Sequence, residues 1–248
     1  MGASIAAKVG ARVSFDVLVC DTDWTRVEAE PEATNHGQDT GRDALSLTTA
    51  TKEENTTMSR PTLQIIIAST RPGRRGTAVA AWIRGLAADH RGFEVEVVDL
   101  ASVGLPILDE PHHPRLQQYT QPHTKAWSAT VDRADAFLFV TPEYNHSFPA
   151  ALKNALDYLF LEWGDKPVGL VSYGGVSAGL RSVAALKPVL AALRMVPALE
   201  AVSIPDSGAR IDEDDVFCSD ARLDAAAKAM LDEVARLAGA LASLRPGA

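Results

Sequence analysis

From residue 60 onward, short apolar runs alternate with stretches whose apolar positions recur at helical spacing. Leu63 to Ala68 (LQIIIA) is a β-branched run of the length of a buried strand. Thr77 to His90 reads as an amphipathic helix, and Phe93 to Leu100 (FEVEVVDL) alternates apolar with acidic, as a half-exposed strand does. The same two patterns then repeat. Thr124 to Arg133 is helical, Ala136 to Val140 (AFLFV) is a buried strand, and Ala150 to Phe160 is helical. Val168 to Ser172 (VGLVS) is a strand, Leu180 to Arg194 a helix with Pro188 inside it, and Leu199 to Ile204 a strand. Ala221 to Leu244 closes the chain as a long Ala/Leu-rich helix. Five strands alternating with five helices predict an α/β fold, a parallel sheet with helices on both faces. In such a sheet a ligand sits beyond the carboxyl ends of the strands, so the turns there come first.

Residues 1–58 break the pattern. Glu28 to Thr57 is polar and poor in large apolar groups; only Val13 to Cys20 (VSFDVLVC) has the character of a strand. This segment carries ten acids against five bases, a net of −5, which leaves −3 for the rest of the −8 total. It cannot bury enough apolar surface to offset its ordering entropy. We expect residues 1–58 to be a poorly structured extension or a mis-assigned start, and residues 59–248 to be the folded domain.

The acidic total speaks against a nucleic-acid binder. Cys20 and Cys218 are the only cysteines, so no CxxC supports a zinc or dithiol site. No apolar run approaches a membrane span. Together these predict a cytoplasmic protein without a membrane partner.

Three turns carry the chemistry. After the first strand comes Ala68-Ser69-Thr70-Arg71-Pro72-Gly73-Arg74-Arg75-Gly76-Thr77. Hydroxyls on Ser69, Thr70 and Thr77, the Arg71 fork and a helix start near Thr77 all suit an anion. Neither a Walker A loop nor GxGxxG is present, which lowers ATPase and dinucleotide-binding Rossmann readings. A solvated turn with Thr77 as an ordinary N-cap stands beside the phosphate reading. After the third strand, Pro142-Glu143-Tyr144-Asn145-His146-Ser147 offers rigid walls and directed hydrogen bonds for a flat ligand. A turn with Asn145 or Ser147 capping the next helix explains it equally well. After the fourth strand, Tyr173-Gly174-Gly175 allows the main chain to run against a ring edge.

Two blocks, Ile65 to Gly76 (IIIASTRPGRRG) and Pro142 to Asp157 (PEYNHSFPAALKNALD), resemble the NADPH-dependent FMN reductase family. This is a flavodoxin-like group with chromate, azo and quinone reductase relatives, and the resemblance runs from about Leu63 to Leu244. It implies sheet order 2-1-3-4-5 and a homodimer or homotetramer. It implies that Ser69, Thr70, Arg71, Gly76, Thr77 and the Ala78 backbone hold an FMN phosphate. Pro142, Glu143, Tyr144 and Asn145 would line the flavin, with Tyr173, Gly174 and Gly175 at its other edge. It further implies NADPH or NADH as co-substrate, hydride carried at flavin N5 with no dedicated catalytic residue, and ping-pong turnover to flavin, quinone or similar small acceptors. The alternative function is a flavin-binding electron carrier or regulatory protein.

Other conspicuous residues have plainer readings. His112 and His113 sit in a Pro-rich loop and are read as solvated, not as metal ligands. His146 reads as hydrogen-bonded or exposed. Trp82, Trp127 and Trp163 are read as core or interface, and Asp212 to Asp215 as a solvated loop.

Overall fold

The computed structural model describes residues 60–245, so the strand expected at 13–20 lies outside the described residues. The β-branched run forms β1 (Thr62–Ile67), and the alternating run forms β2 (Glu94–Asp99). Two strands buried along their whole length follow, β3 (Ala136–Pro142) and β4 (Pro167–Tyr173). All pair in parallel, in the order β2-β1-β3-β4. The fifth strand, expected over Leu199 to Ile204, is confined to β6 (Val202–Ile204), and a short strand that was not expected, β5 (Val196–Pro197), precedes it; both lie on the free edge of β4. Val168 faces Pro197, whereas Val171 faces Val202. Three steps along β4 thus match five along its neighbour, and the surplus leaves the ladder. Leu199, at the break, is 85% exposed.

Because successive strand residues point to opposite faces, the sheet sorts its own side chains into two cores. Leu63, Ile65, Leu138 and Val140 point to one face, where α1 (Gly76–His90) and α6 (Ala221–Leu241) pack. Ile66, Phe137 and Phe139 point to the other, against α3 (Pro122–Asp132), α4 (Ala150–Asp157) and α5 (Leu180–Ala192). On α1 the buried positions Gly76, Val79, Ala80, Ile83 and Ala87 make a single stripe at helical spacing. Trp127 and Trp163 are core, and Trp82 packs at the edge with its indole N–H on Asp224.

Several expected boundaries shift, two of them with a visible local cause or consequence. Leu100 does not end β2 but starts the short helix α2 (Leu100–Val103), because the Asp99 carboxylate caps it by accepting the Ala101 N–H. The helix expected to reach Phe160 ends at Asp157, and a 3-10 turn at Leu161–Trp163 leads into β4. The helix α5 runs through Pro188. Between α2 and α3 lies an irregular segment held by side chains. Asn154 accepts the Leu108 N–H and donates to the Pro106 carbonyl. Asp109 joins His123 and Tyr158 at 2.9 and 3.0 Å, and Glu110 accepts the N–H groups of Thr120 and Gln121.

Candidate functional site

The order β2-β1-β3-β4 brings the turns after β1, β3 and β4 side by side at the carboxyl end of the sheet. A hollow of about 270 Å³ opens among them, lined by Arg71, Pro142, Glu143, Tyr144, Tyr173, Gly174 and Gly175 of the expected residues. Arg74, Arg75 and Ser207 also line it. Ser207 belongs to the turn after β6, which the sequence pattern did not single out; its signal was its place just beyond a strand's carboxyl end. Thr70 lines a neighbouring hollow of similar size with Leu100, Gly104 and Ala151. A larger, mainly apolar hollow of about 700 Å³, bordered by Leu116, Phe160 and Leu193, contains none of the expected residues.

The first turn leaves polar groups without partners. Helix α1 starts at Gly76, with Arg75 as its N-cap and no side chain capping it. Thr77 is therefore not the cap; it lies exposed in the first turn. The N–H groups of Gly76, Thr77 and Ala78 have no acceptor among the described residues, and the helix dipole adds positive potential there. Arg71 is exposed and makes no ion pair among the described residues. Arg74, by contrast, pairs with Asp99. Ser69 is fully buried and shares a 2.6 Å hydrogen bond with the Tyr144 hydroxyl, which ties the first turn to the second.

In the second turn Asn145 (φ 48°) and His146 (φ 66°) are both left-handed. Tyr144 and Ser147 exchange backbone hydrogen bonds of 2.8 and 3.0 Å around them. This is a two-residue hairpin of the I′ kind, in which Asn is favoured at the first corner. Neither Asn145 nor Ser147 caps the next helix, since Pro149 occupies the N-cap of α4 with no side-chain bond. Asn145 and His146 are exposed at the rim.

Glu143 links the second turn to the third. Its carboxylate accepts the Ser177 hydroxyl at 2.8 Å, the Arg181 N–H at 3.2 Å, and the Arg181 guanidinium. The Arg181 bond, above all, holds the Glu143 carboxyl below the usual carboxylate range. Glu143 is thus committed as an anion and fixes the spacing of two walls of the hollow.

The third turn holds the clearest vacancy in hydrogen bonding. The Tyr173 hydroxyl is buried near Ser69 and makes no hydrogen bond of normal geometry among the described residues. Burial and then the neighbouring Tyr144 push its phenol well above the usual range, so it remains a donor. A Cβ on Gly76 would lie 2.8 Å from that hydroxyl and 3.1 Å from the Ile67 side chain. Only glycine lets the start of α1 approach Tyr173 this closely.

Elsewhere, the Nδ1 of His113 accepts the Arg115 N–H and caps a 3-10 turn. Asp212 to Asp215 forms an exposed turn in which the Asp212 carboxylate accepts two backbone N–H groups. No helix among the described residues is long and apolar enough to cross a membrane.

Comparisons with known proteins place the chain in a family. The chain is 41% identical over 149 residues to an NAD(P)H-dependent FMN reductase of Schizosaccharomyces pombe, a match covering 58% of this chain and 74% of that protein. It is 35% identical over 162 residues to an NAD(P)H-dependent FMN reductase of Saccharomyces cerevisiae, covering 60% and 84% respectively. Among solved structures, the flavoenzyme NAD(P)H:(acceptor) oxidoreductase FerB from Paracoccus denitrificans shares the fold, with a TM-score of 0.57 at 22% identity over 71% of this chain and 98% of that one. The family model of the NADPH-dependent FMN reductases matches residues 61–209, a span that contains all three turns, and the chain belongs to that family.

Proposed function

We propose that the protein is an NAD(P)H-dependent oxidoreductase that binds FMN in the hollow between the three turns. The observation that carries this reading is a set of donors without acceptors among the described residues at one end of the sheet: the Arg71 guanidinium and the Tyr173 hydroxyl, whose residues line the hollow, and the first N–H groups of α1. A buried donor without a partner, such as the Tyr173 hydroxyl, is uncommon in a folded protein and calls for an explanation, which a ligand rich in acceptors supplies. The residues present fit FMN. Ser69, Thr70, Arg71, Gly76, Thr77 and the Ala78 N–H would hold its phosphate. Pro142, Glu143, Tyr144 and Asn145 would line one side of the flavin, and Tyr173, Gly174 and Gly175 the other.

Bound flavin supplies the hydride and electron chemistry. The chain's own residues supply position. The Glu143–Arg181 and Glu143–Ser177 contacts fix the width of the ring site, and the Ser69–Tyr144 bond fixes the phosphate turn against it. No side chain is required as nucleophile or base. NADPH or NADH and then a small acceptor take turns at the open side, so turnover is ping-pong. Flavins, quinones and azo compounds are the acceptor classes, supported by relatives named quinone oxidoreductase and azoreductase. A homodimer or homotetramer in the cytoplasm completes the reading, with residues 59–248 as the FMN-binding domain.

Addition of FMN to the purified protein tests this directly. Flavin fluorescence should be quenched, and at 100 times its Kd the ligand should add about 2.7 kcal/mol of stability. NADPH should then be oxidised with FMN or a quinone as acceptor, with parallel lines in double-reciprocal plots. A protein that neither quenches nor is stabilised by FMN rejects the reading.

A further inference from the structure

The hollow has a fourth wall that none of the recognised turns supplies. It is built by Arg75 and by the turn after β6, Ser207–Arg210. Ser207 is 1% exposed, its N–H is fixed on the Gly174 carbonyl at 2.9 Å, and its hydroxyl makes no hydrogen bond among the described residues. The Arg75 guanidinium lies flat on Gly208: a Cβ there would be 2.7 to 2.8 Å from three of its atoms. The absence of a side chain at 208 leaves room for the guanidinium there.

Charge sorts the arginines of this region. Arg74 is neutralised by Asp99, and Arg181 by Glu143. Arg71 and Arg75 line the hollow with no acid paired to either among the described residues. The helix start and Arg71 already account for one face of an anion. A second free guanidinium beside the hydroxyl of a buried serine is more than a solvated turn needs.

We propose that Arg75 and Ser207 form a phosphoryl-binding subsite, with Gly208 leaving room for the guanidinium. It rests on the hollow being the flavin site proposed above. The phosphoryl group belongs to FMN or to the pyridine nucleotide; the donors are the same for both, a planar fork and a hydroxyl.

The experiment compares the wild type with Arg75→Ala, Arg75→Lys and Ser207→Ala. FMN and riboflavin, which lacks the phosphate, are titrated by flavin fluorescence; NADPH and NADH are then titrated into the FMN-loaded proteins. If the group is the cofactor's, Arg75→Ala weakens FMN at least tenfold and leaves riboflavin unchanged. If it is the nucleotide's, FMN affinity holds and NADPH weakens at least tenfold. Ser207→Ala should act in the same direction by three- to tenfold, and Arg75→Lys should restore part of the loss. Arg75→Ala values within twofold of wild type for every ligand overturn the subsite. A wild type that binds neither flavin would instead reject the function proposed above. Inorganic pyrophosphate then decides the subsite alone: a thermal shift in the wild type that Arg75→Ala abolishes supports it, and equal shifts or none overturn it.

Discussion

The two ends of the sheet treat charge in opposite ways. At the amino end, the Asp135 carboxylate accepts the Thr62 N–H at 2.7 Å and pairs with Arg245. Asp165 pairs with Arg194, and the buried Lys166 ammonium donates to the carbonyls of Val131 and Asp132 at 3.0 and 2.9 Å. Glu162, 2% exposed, accepts from Tyr119, Ser128 and the Phe160 N–H. At the carboxyl end, among the described residues, Arg71 and Arg75 have no acid partner and the Tyr173 hydroxyl makes no hydrogen bond. Both ends are rich in polar groups. The charged groups named at the amino end all have partners and two guanidiniums at the carboxyl end do not, and that difference, more than polarity, marks the site.

Substitutions at the amino end should lower stability and leave ligand affinity alone. Glu162→Ala carries the largest expected effect. It strands the Tyr119 and Ser128 hydroxyls, which lie 2.9 and 2.7 Å from the carboxylate, together with the Phe160 N–H. Burial and then Glu162 already push the Tyr119 phenol above its usual range, so that hydroxyl stays a donor in need of an acceptor. Losing these bonds should cost about 3–5 kcal/mol, read from the urea midpoint at constant m-value. FMN affinity of the folded fraction should not change. A cost below about 1 kcal/mol would show that these hydrogen bonds hold this end less than their geometry implies.

Lys166 gives a test by pH. Burial pulls its ammonium down to about 8 from the usual 10.5. Between those values the unfolded chain keeps a proton that the folded chain has released. Stability therefore rises with pH across that window, and is flat below it where both states are charged. The whole rise is at most about 3 kcal/mol, because each tenfold change in proton affinity is worth about 1.4 kcal/mol. Denaturation between pH 7.5 and 10 should show the rise in the wild type and lose it in Lys166→Met. A slope that survives the substitution belongs to another group.

At the open end the order reverses, and affinity should move more than stability. Arg71→Ala should weaken FMN by about 1.5–3 kcal/mol, the scale of a charge-assisted hydrogen bond. Riboflavin affinity and the unfolding midpoint should hold. Equal losses for FMN and riboflavin would place the phosphate elsewhere and remove the main contrast between the two ends.

How much of this was legible in the sequence follows from which interactions are local. Strands and helices could be read because Leu63 to Ala68 and Thr77 to His90 carry their own periods. The break between β5 and β6 could not, because it depends on a register against β4 that leaves Leu199 outside. The three turns were found by their position after strands. Their hydrogen bonds were not: Asn145, read as a flavin wall or else a cap, is a hairpin corner, and Glu143, read as a wall, is also a tie to Arg181. Ser207 was missed because its value lies in being buried beside Gly174, a contact between residues far apart in the chain.

The smallest expected effect tests whether the rim of the open end is site or scaffold. His146 holds φ at 66° on the second corner of the I′ turn, where a side chain is strained and glycine is not. His146→Gly relieves that strain but loosens the unfolded chain, and the two nearly cancel, leaving a gain of roughly 0.5 kcal/mol. The Tyr144–Ser147 backbone pair stays in place, so the Ser69–Tyr144 bond should be kept and FMN affinity unchanged. A gain in the unfolding midpoint with constant FMN affinity makes the imidazole scaffold only. A loss of FMN affinity without a loss of stability would instead count His146 among the groups that the open end holds ready for its ligand.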